Sequence, residues 1–248
     1  MRNEPLRSDR LLALVTGVGR RTGLGAAIVT RLAATGWDVA STHWQPYDDR
    51  MPWGHDEARG EIASTFDLEA DLEDPATPSM LFDRVTAELG DVRALVLAHC
   101  ESVDSGLLDT TPESFDRHFA VNTRASWLLI REFAQRYRGP RGDGRIVALT
   151  SDAVVGNVPY GASKGALDRI VLAAASELGP LGITANAVNP GPTDTGWLTD
   201  ELAAAVVTRT PLGRLGLPRD GANLVAFLLS PEGGWITGQL LTSNGGFS

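Results

Sequence analysis

The chain has 248 residues, of which 43% are hydrophobic and 21% charged, a balance typical of one globular domain with a full core. Its formal net charge of −9 argues against nucleic acid or an anionic membrane as the main partner, and mildly against docking on an acidic carrier protein. The one cysteine, Cys100, excludes an internal disulfide framework and favours a reducing, cytoplasmic location.

Strands and helices are predicted to alternate along the chain after a polar N-terminal tail at residues 1–10, which has no apolar signal core. A continuous apolar run predicts a buried strand at 11–15, and further strands are predicted at 37–42, 64–68, 94–98, 145–150, 183–188 and 239–242, of which 64–68 has the weakest signal. Helical patterns are predicted at 23–35, 75–89, 111–137, from Tyr160 onward, 198–208 and 219–230. The stretch 44–60 has no clear period and is predicted to be a surface excursion. This alternation indicates a single α/β domain with a doubly wound, parallel, seven-stranded sheet and helices on both faces.

Tyr160 and Lys164 are four positions apart at the start of one predicted helix, so they share a face. A free tyrosine, with a pKa of about 10, is a poor proton donor or acceptor at neutral pH. A neighbouring ammonium favours the phenolate, and the pair therefore predicts a tyrosine whose pKa is lowered toward the working range.

A glycine-rich turn follows the first predicted strand and contains Gly17, Gly23 and Gly25, with Leu24 between the last two. Glycines at such a turn let backbone N–H groups approach a pyrophosphate at the N-terminus of the next helix. Together with Tyr160 and Lys164, this turn resembles the short-chain dehydrogenase/reductase family over nearly the whole chain. That resemblance implies a Rossmann-type fold that binds a nicotinamide dinucleotide. The turn here is two residues longer than the family's usual T-G-x-x-x-G-x-G.

The resemblance makes Arg20 and Arg21, inside this turn, candidates for pairing with the 2′-phosphate of NADP(H). Relatives that select NAD(H) usually carry an acidic residue at the end of the second strand, where this chain has Ser41, Thr42 and His43. NADP(H) is therefore favoured over NAD(H), with His43 beside the cofactor. After the third strand, Asp71 and Leu72 resemble the pair that holds the adenine, and the alternative is Asp67 with Leu68.

The largest departure from the family follows the fourth strand, where the usual N-N-A-G is replaced by residues 98–101, Ala-His-Cys-Glu. His99 is interpreted as a hydrogen-bonded structural histidine and Cys100 as a small packed residue. No metal site is expected in the chain.

Asn122 resembles the family asparagine whose backbone carbonyl holds a water that links the lysine to solvent. Ser151 resembles the serine that hydrogen-bonds the substrate oxygen. Ser151 and Tyr160 are nine positions apart, about four fewer than in typical members, so either the loop takes a tighter path or another hydroxyl replaces Ser151.

After the sixth strand, Pro190, Gly191, Thr193 and Thr195 resemble the family's P-G-x-x-x-T, which holds the nicotinamide carboxamide and the phosphates. Residues of about 192–211 would then form a substrate lid, with Trp197 and Leu198 as an apolar wall.

The catalytic set implied by the resemblance is therefore Asn122, Ser151, Tyr160 and Lys164, acting on a small carbonyl or alcohol substrate. The pattern is most similar to 3-oxoacyl-carrier-protein reductases, and a homodimer or homotetramer formed through the Thr111 and Tyr160 helices is implied. Two alternatives stay open: an NAD-dependent alcohol or sugar dehydrogenase that works oxidatively, and a dinucleotide-binding sensor without turnover.

Overall fold

A computed structural model describes residues 10–196 and 198–247 of the chain. Almost all of the predicted N-terminal tail, together with Trp197 of the predicted lid and Ser248, lies outside the described residues.

The sheet has seven strands, all parallel, in the order β3-β2-β1-β4-β5-β6-β7, which confirms the predicted fold class. The strands are β1 (Leu12–Thr16), β2 (Asp38–His43), β3 (Phe66–Glu69), β4 (Val92–Leu97), β5 (Gly144–Leu149), β6 (Ile183–Asn189) and β7 (Leu240–Thr242). Their boundaries agree with the predicted ones to within two residues.

The helices are α1 (Leu24–Ala34), α2 (Gln45–Arg50), α3 (Thr77–Leu89), α4 (Pro112–His118), α5 (Ser126–Arg136), α6 (Val158–Leu178), α7 (Asp200–Arg209) and α8 (Pro218–Leu229). The hydroxyl of Thr111 caps α4 by accepting from the Ser114 N–H at 3.2 Å, as its position before a proline predicts. In the described part of the chain, no helix is long and apolar enough to cross a membrane.

The core has two layers because successive residues of a buried strand point to opposite faces of the sheet. On one side of β1, Leu12 and Leu14 pack with aromatic side chains of α3 and α5, namely Phe82 and Phe133. Ala13 and Val15 face the other side and pack with the apolar faces of α1 and α8. All of these side chains are buried.

Two sequence predictions of local structure are wrong in detail. The predicted surface excursion at 44–60 contains α2, and Asp48 of α2 is buried, with its Oδ1 4.0 Å from Nε of Arg20 in the glycine turn. The predicted helix 111–137 is divided by a π-helical segment, Phe119–Ala125, between α4 and α5. A single wide turn of this kind does not interrupt the apolar period and is frequently found at functional sites.

The order of strands locates the ligand-binding edge. β1 lies between β2 and β4, so the chain leaves β1 in one direction for β2 and β3 and then returns to its other side for β4. In doubly wound sheets, ligands bind in the crevice at the carboxyl ends of the strands where this reversal takes place. The glycine turn after β1 and residues 98–101 after β4 both lie at that point.

Candidate active site

The glycine turn is built so closely that side chains are excluded from it. Gly17 has φ +77°, and a Cβ placed there would collide with the backbone of His99 beyond β4. A Cβ at Gly25 would lie 2.6 Å from the carbonyl oxygen of Gly17. The first turn of α1 therefore approaches the end of β1 with its N–H groups uncovered, which fits the cradle that a dinucleotide pyrophosphate requires.

Tyr160 and Lys164 lie one turn apart near the start of α6, with the lysine Nζ 5.7 Å from the centre of the tyrosine ring. The Lys164 ammonium is buried and donates to the Leu149 carbonyl at 2.8 Å. The pKa of Lys164 is lowered by its burial, while the nearby Cys100 and Asp168 act to raise it.

The predicted lowering of the Tyr160 pKa is wrong for this structure. Burial raises the pKa of the phenol, the nearby Cys100 adds to the rise, and a hydrogen bond with Ser151 opposes it. Lys164 does not offset these effects because its ammonium lies over the ring and is bound to the Leu149 carbonyl. The phenol of this structure is therefore protonated at neutral pH.

The short segment between Ser151 and Tyr160 takes a tight path that leaves Ser151 beside the phenol, which is the first of the two predicted alternatives. The Ser151 hydroxyl accepts from the Ala153 N–H at 3.1 Å, which folds the loop back on itself. A Cβ on Gly161 would collide with the Ala153 carbonyl, so the loop lies directly against the first turn of α6. This packing brings Ser151 close enough to the Tyr160 phenol to act on its pKa.

Asn122 lies in the π-helical segment and connects it to both neighbouring elements. Its side-chain amide donates to the Glu101 carbonyl at 2.9 Å and to the Ser163 hydroxyl at 2.8 Å, and its oxygen accepts from the Glu101 N–H at 2.7 Å. Its backbone carbonyl, the group predicted to hold a water, accepts from the Ser126 hydroxyl at 2.7 Å. Asn122 thus links the end of β4 to α6.

His99 has the structural surroundings that the sequence predicts. Its Nδ1 is 2.6 Å from the Thr16 hydroxyl, and its Nε2 is 3.1 Å from the Val121 carbonyl. Burial, with a further contribution from Lys164, lowers the pKa of His99 to about 3, so the ring is neutral. In a neutral ring that donates from Nε2 to the Val121 carbonyl, Nδ1 accepts a hydrogen bond from the Thr16 hydroxyl. Burial also raises the pKa of the Cys100 thiol, which is consistent with a packed residue.

Both arginines of the glycine turn are held by groups of this chain. Arg20 donates from Nη1 to the Thr195 carbonyl at 3.1 Å, and its guanidinium lies 4.5 Å from the centre of the Trp53 ring. Arg21 donates to Asp56 at 3.1 Å and to Glu61 at 2.8 Å and is half exposed. The sequence identified the two cations but not these partners, because Trp53 and Asp56 lie in the segment that shows no period and Thr195 is distant along the chain.

The ends of β2 and β3 meet in a polar cluster. The Asp67 carboxylate accepts from the Ser41 hydroxyl and from Arg59, both at 2.6 Å, and lies 3.2 Å from His43 Nδ1. Burial alone would raise the pKa of Asp67, but these hydrogen bonds outweigh it and lower the pKa to about 2. Asp67 is thus fully engaged within the sheet, whereas Asp71 accepts only the nearby Glu73 N–H at 2.8 Å. This leaves Asp71, with the buried Leu72 beside it, as the better placed of the two alternative pairs.

The segment after β6 closes over the glycine turn. Gly191 has φ +62° and lies against Asn244, and the Thr193 hydroxyl donates to the Gly191 carbonyl at 3.1 Å. Thr195 presents its carbonyl to Arg20 and, at 3.3 Å, to the hydroxyl of Thr22. Pro190 is partly buried next to α8. The predicted nicotinamide-binding segment therefore touches the predicted phosphate-binding turn.

Two groups of site residues were not identified from the sequence. The Thr150 hydroxyl donates to the carboxylate of Asp168 at 2.5 Å, and Asp168 lies one turn of α6 beyond Lys164. Arg50 of α2 pairs with the buried Glu101, at the position where the family usually has glycine. A charged residue at the glycine of a known motif was the one available signal for the second pair.

Comparison with known proteins gives the same family at every level. A family model described as enoyl-(acyl carrier protein) reductase matches residues 17–248. YjdA, an uncharacterised oxidoreductase of Bacillus subtilis (strain 168), is 36% identical over 97% of this chain and 98% of its own length.

Two solved structures share the fold along almost the entire chain. A short chain dehydrogenase from Burkholderia cenocepacia J2315 in complex with NADP is 35% identical, with a TM-score of 0.82 over 98% of this chain and 99% of that chain. A blue fluorescent protein from a metagenomic library in complex with NADPH is 31% identical, with a TM-score of 0.83 over 99% of this chain and 100% of that chain. From its fold, its glycine turn and these similarities, we conclude that the chain belongs to the short-chain dehydrogenase/reductase family of oxidoreductases.

Proposed function

We propose that the chain is an NADP(H)-dependent oxidoreductase that interconverts a ketone and a secondary alcohol, with Tyr160 as the general acid and base. The observation that carries this proposal is the position of Ser151 beside the Tyr160 phenol, whose pKa it acts to lower, with Lys164 one helical turn below them. Two hydroxyls and one buried cation at the carboxyl edge of the sheet are the groups that a polarised carbonyl oxygen requires.

The nicotinamide, when bound, supplies or accepts the hydride. In the reductive direction, the Ser151 hydroxyl donates a hydrogen bond to the substrate oxygen and Tyr160 gives that oxygen its proton. Lys164 is proposed to hold the ribose hydroxyls of the bound nicotinamide. Asn122 joins the end of β4 to α6 and so fixes the helix that carries Tyr160 and Lys164. The Tyr160 phenol carries its proton at neutral pH, as the reductive direction requires of the general acid.

For the cofactor, the proposed contacts are the glycine turn with its arginines, the end of β2, the adenine pair and the segment after β6. These residues are Gly17, Arg20, Arg21, Gly23, Leu24, Gly25, His43, Asp71, Leu72, Pro190, Gly191, Thr193 and Thr195. Support for NADP(H) comes from two cations in the turn, the lack of an acid at residues 41–43, and NADP(H) in both solved relatives described above.

The substrate is proposed to be an apolar ketone. The loops beside Ser151 and Tyr160 expose Leu107, Leu108, Val154 and Val155, and a hydrogen bond of 2.6 Å from Asn157 to Asp104 joins these loops. The resemblance to 3-oxoacyl-carrier-protein reductases supports an acyl chain on this rim, and residues 192–211 are the proposed lid.

The test is Tyr160→Phe, assayed with a panel of ketones and alcohols and all four nicotinamide cofactor forms. We expect the wild type to consume NADPH with apolar ketones, and the variant to lose nearly all turnover while it still binds NADPH. Retained turnover in the variant contradicts the role of Tyr160. A preference for NAD+ with alcohols supports the oxidative alternative, and cofactor binding without turnover of any substrate supports the sensor.

A homodimer or homotetramer is proposed through the helices that flank Asn122. α4, α5 and α6 expose Phe115 and Trp127, and a shallow cavity between them is lined by Phe119 and Ile170. Light scattering of the purified protein tests this, and a strictly monomeric mass contradicts it.

A further inference from the structure

Residues 44–61, which we name the β2–β3 cap, lead from the end of β2 toward β3 and cover the glycine turn. The cap contains α2, and the rings of Tyr47 and Trp53 lie 6.3 Å apart within it. Besides the pairing of Arg59 with Asp67 of β3, three attachments join polar groups of the cap to the candidate site.

The first attachment is Asp48. Its carboxylate lies directly against Gly19, where a Cβ would collide with Oδ2. Trp53 Nε1 donates to Oδ1 at 3.0 Å, and Arg20 Nε lies 4.0 Å from the same oxygen. The Asp48 side chain is only 9% exposed. The Asp48 carboxylate therefore covers the glycine turn at Gly19 and Arg20, and no space remains between the carboxylate and Gly19.

The second and third attachments hold the ends of the cap. Arg50 pairs with the buried Glu101 after β4, and the Tyr47 hydroxyl donates to the Ser102 carbonyl at 3.4 Å. At the other end, Asp56 and Glu61 hold Arg21 through hydrogen bonds of 3.1 and 2.8 Å. The cap thus supplies the acidic partners of both arginines in the turn.

The place that Asp48 covers is one where a cofactor phosphate is expected. The Val18 N–H donates to the Thr42 carbonyl at 2.7 Å, which fixes the turn beside the end of β2. In dinucleotide-binding folds, the substituent at the ribose 2′ position lies between these two elements. Arginine and backbone N–H groups bind carboxylates and phosphates with the same geometry, so the two anions compete for one place.

We propose that Asp48 determines the affinity of the site for its cofactor: its carboxylate occupies the glycine turn beside Arg20, and NADP(H) binds by displacing it together with the β2–β3 cap. This rests on the proposed use of NADP(H) at the site. When Asp48 leaves, a 2′-phosphate gives Arg20 a new anionic partner, whereas a bare 2′-hydroxyl does not. The exchange therefore favours NADP(H) over NAD(H).

The experiment is isothermal titration of the full-length protein with NADPH and with NADH, for the wild type and Asp48→Asn. Asparagine keeps the size of the side chain and removes its charge, so we expect NADPH to bind about three- to tenfold more tightly, as for the loss of one competing ion pair. Asp49→Asn is the matched control, because it changes the net charge equally but pairs with His55 instead of Arg20. We expect its Kd for NADPH to equal that of the wild type.

Trp53→Phe is a second variant that leaves Asp48 charged and removes the N–H that holds it. We expect tighter NADPH binding here also, and this variant tests the proposal if Asp48→Asn does not fold.

Weaker binding of NADPH or NADH by Asp48→Asn would overturn the proposal, since Asp48 would then be a ligand of the ribose. The proposal would also be overturned if Asp48→Asn and Trp53→Phe both had the wild-type Kd for NADPH. It would be overturned as well if Asp49→Asn tightened NADPH binding as much as Asp48→Asn. A wild type that binds neither cofactor refutes the proposed function instead, so the two failures are distinguishable.

Discussion

Replacing Asp67 by asparagine is expected to destabilise the protein at neutral pH and much less in acid. Asp67 accepts from Ser41 and Arg59 and lies beside His43, at the junction of β2 and β3. Asparagine preserves the shape of this cluster and removes the charge that Arg59 neutralises.

The size of the effect follows from the pKa of Asp67. Its value of about 2 in the folded protein compares with an ordinary 3.8. One pKa unit corresponds to about 1.4 kcal/mol, so the ionised carboxylate stabilises the fold by about 2 kcal/mol. Because the folded pKa is the lower one, this contribution is complete above about pH 5 and is lost as the pH falls through 3.8 toward 2.

The assay is urea unfolding of the wild type, Asp67→Asn and Glu69→Gln at several pH values from 7 to 3. Glu69 is a matched control because it ends the same strand and is exposed. We expect Asp67→Asn to lose about 2 kcal/mol of unfolding free energy at pH 7, which is roughly 4–8 °C in Tm, and the loss to shrink at pH 3. A variant as stable as Glu69→Gln at pH 7, or a loss that stays constant down to pH 3, would refute the reasoning.

Three further outcomes are expected. Gly17→Ala should abolish NADPH binding and destabilise the fold more than Gly36→Ala. Both positions have positive φ, but only at Gly17 would an added Cβ collide with backbone atoms. Equal thermal stability and equal NADPH affinity in the two variants would contradict this. Because the pKa values of Tyr47, Tyr137 and Tyr160 are all raised, with burial as the largest cause, tyrosinate absorbance in the cofactor-free protein should appear only above about pH 10. A step worth one tyrosine between pH 6 and 9 that Tyr160→Phe removes would instead support the lowering predicted from the sequence. Asp168→Asn should move the alkaline loss of kcat to lower pH, because the Asp168 charge raises the pKa of Lys164, and an unchanged profile of kcat against pH would refute this.

The fold was predictable because its determinants are local in the sequence. The first buried strand, for example, is a continuous apolar run from residue 11 to 15, and a glycine-rich turn separates it from α1, so neither signal depends on distant contacts. The position of Tyr160 above Lys164 follows in the same way from helical geometry. For the short loop before Tyr160, the sequence left open a tighter path or a replacement for Ser151, and the packing of Gly161 against Ala153 fits the tighter path.

The properties of the site that the sequence did not give depend on surroundings contributed by distant residues. Spacing places a cation near Tyr160, but the sign of the pKa change depends on how deeply the phenol is buried and on the Leu149 carbonyl that holds Lys164. The π-helical segment around Asn122 preserves the apolar period of a single long helix, so periodicity alone does not show it.

The departures from the family pattern, which look unrelated along the chain, form one unit in space. The lengthened glycine turn carries Arg20, whose acidic neighbour Asp48 lies in the β2–β3 cap. The acid at the family's glycine position, Glu101, holds Arg50 of the same cap. Each change taken alone would leave a buried or half-buried charge without a partner, which is costly. The longer turn, the cap and Glu101 therefore stabilise one another, and the aperiodic segment between β2 and β3 is joined to the glycine turn by polar contacts.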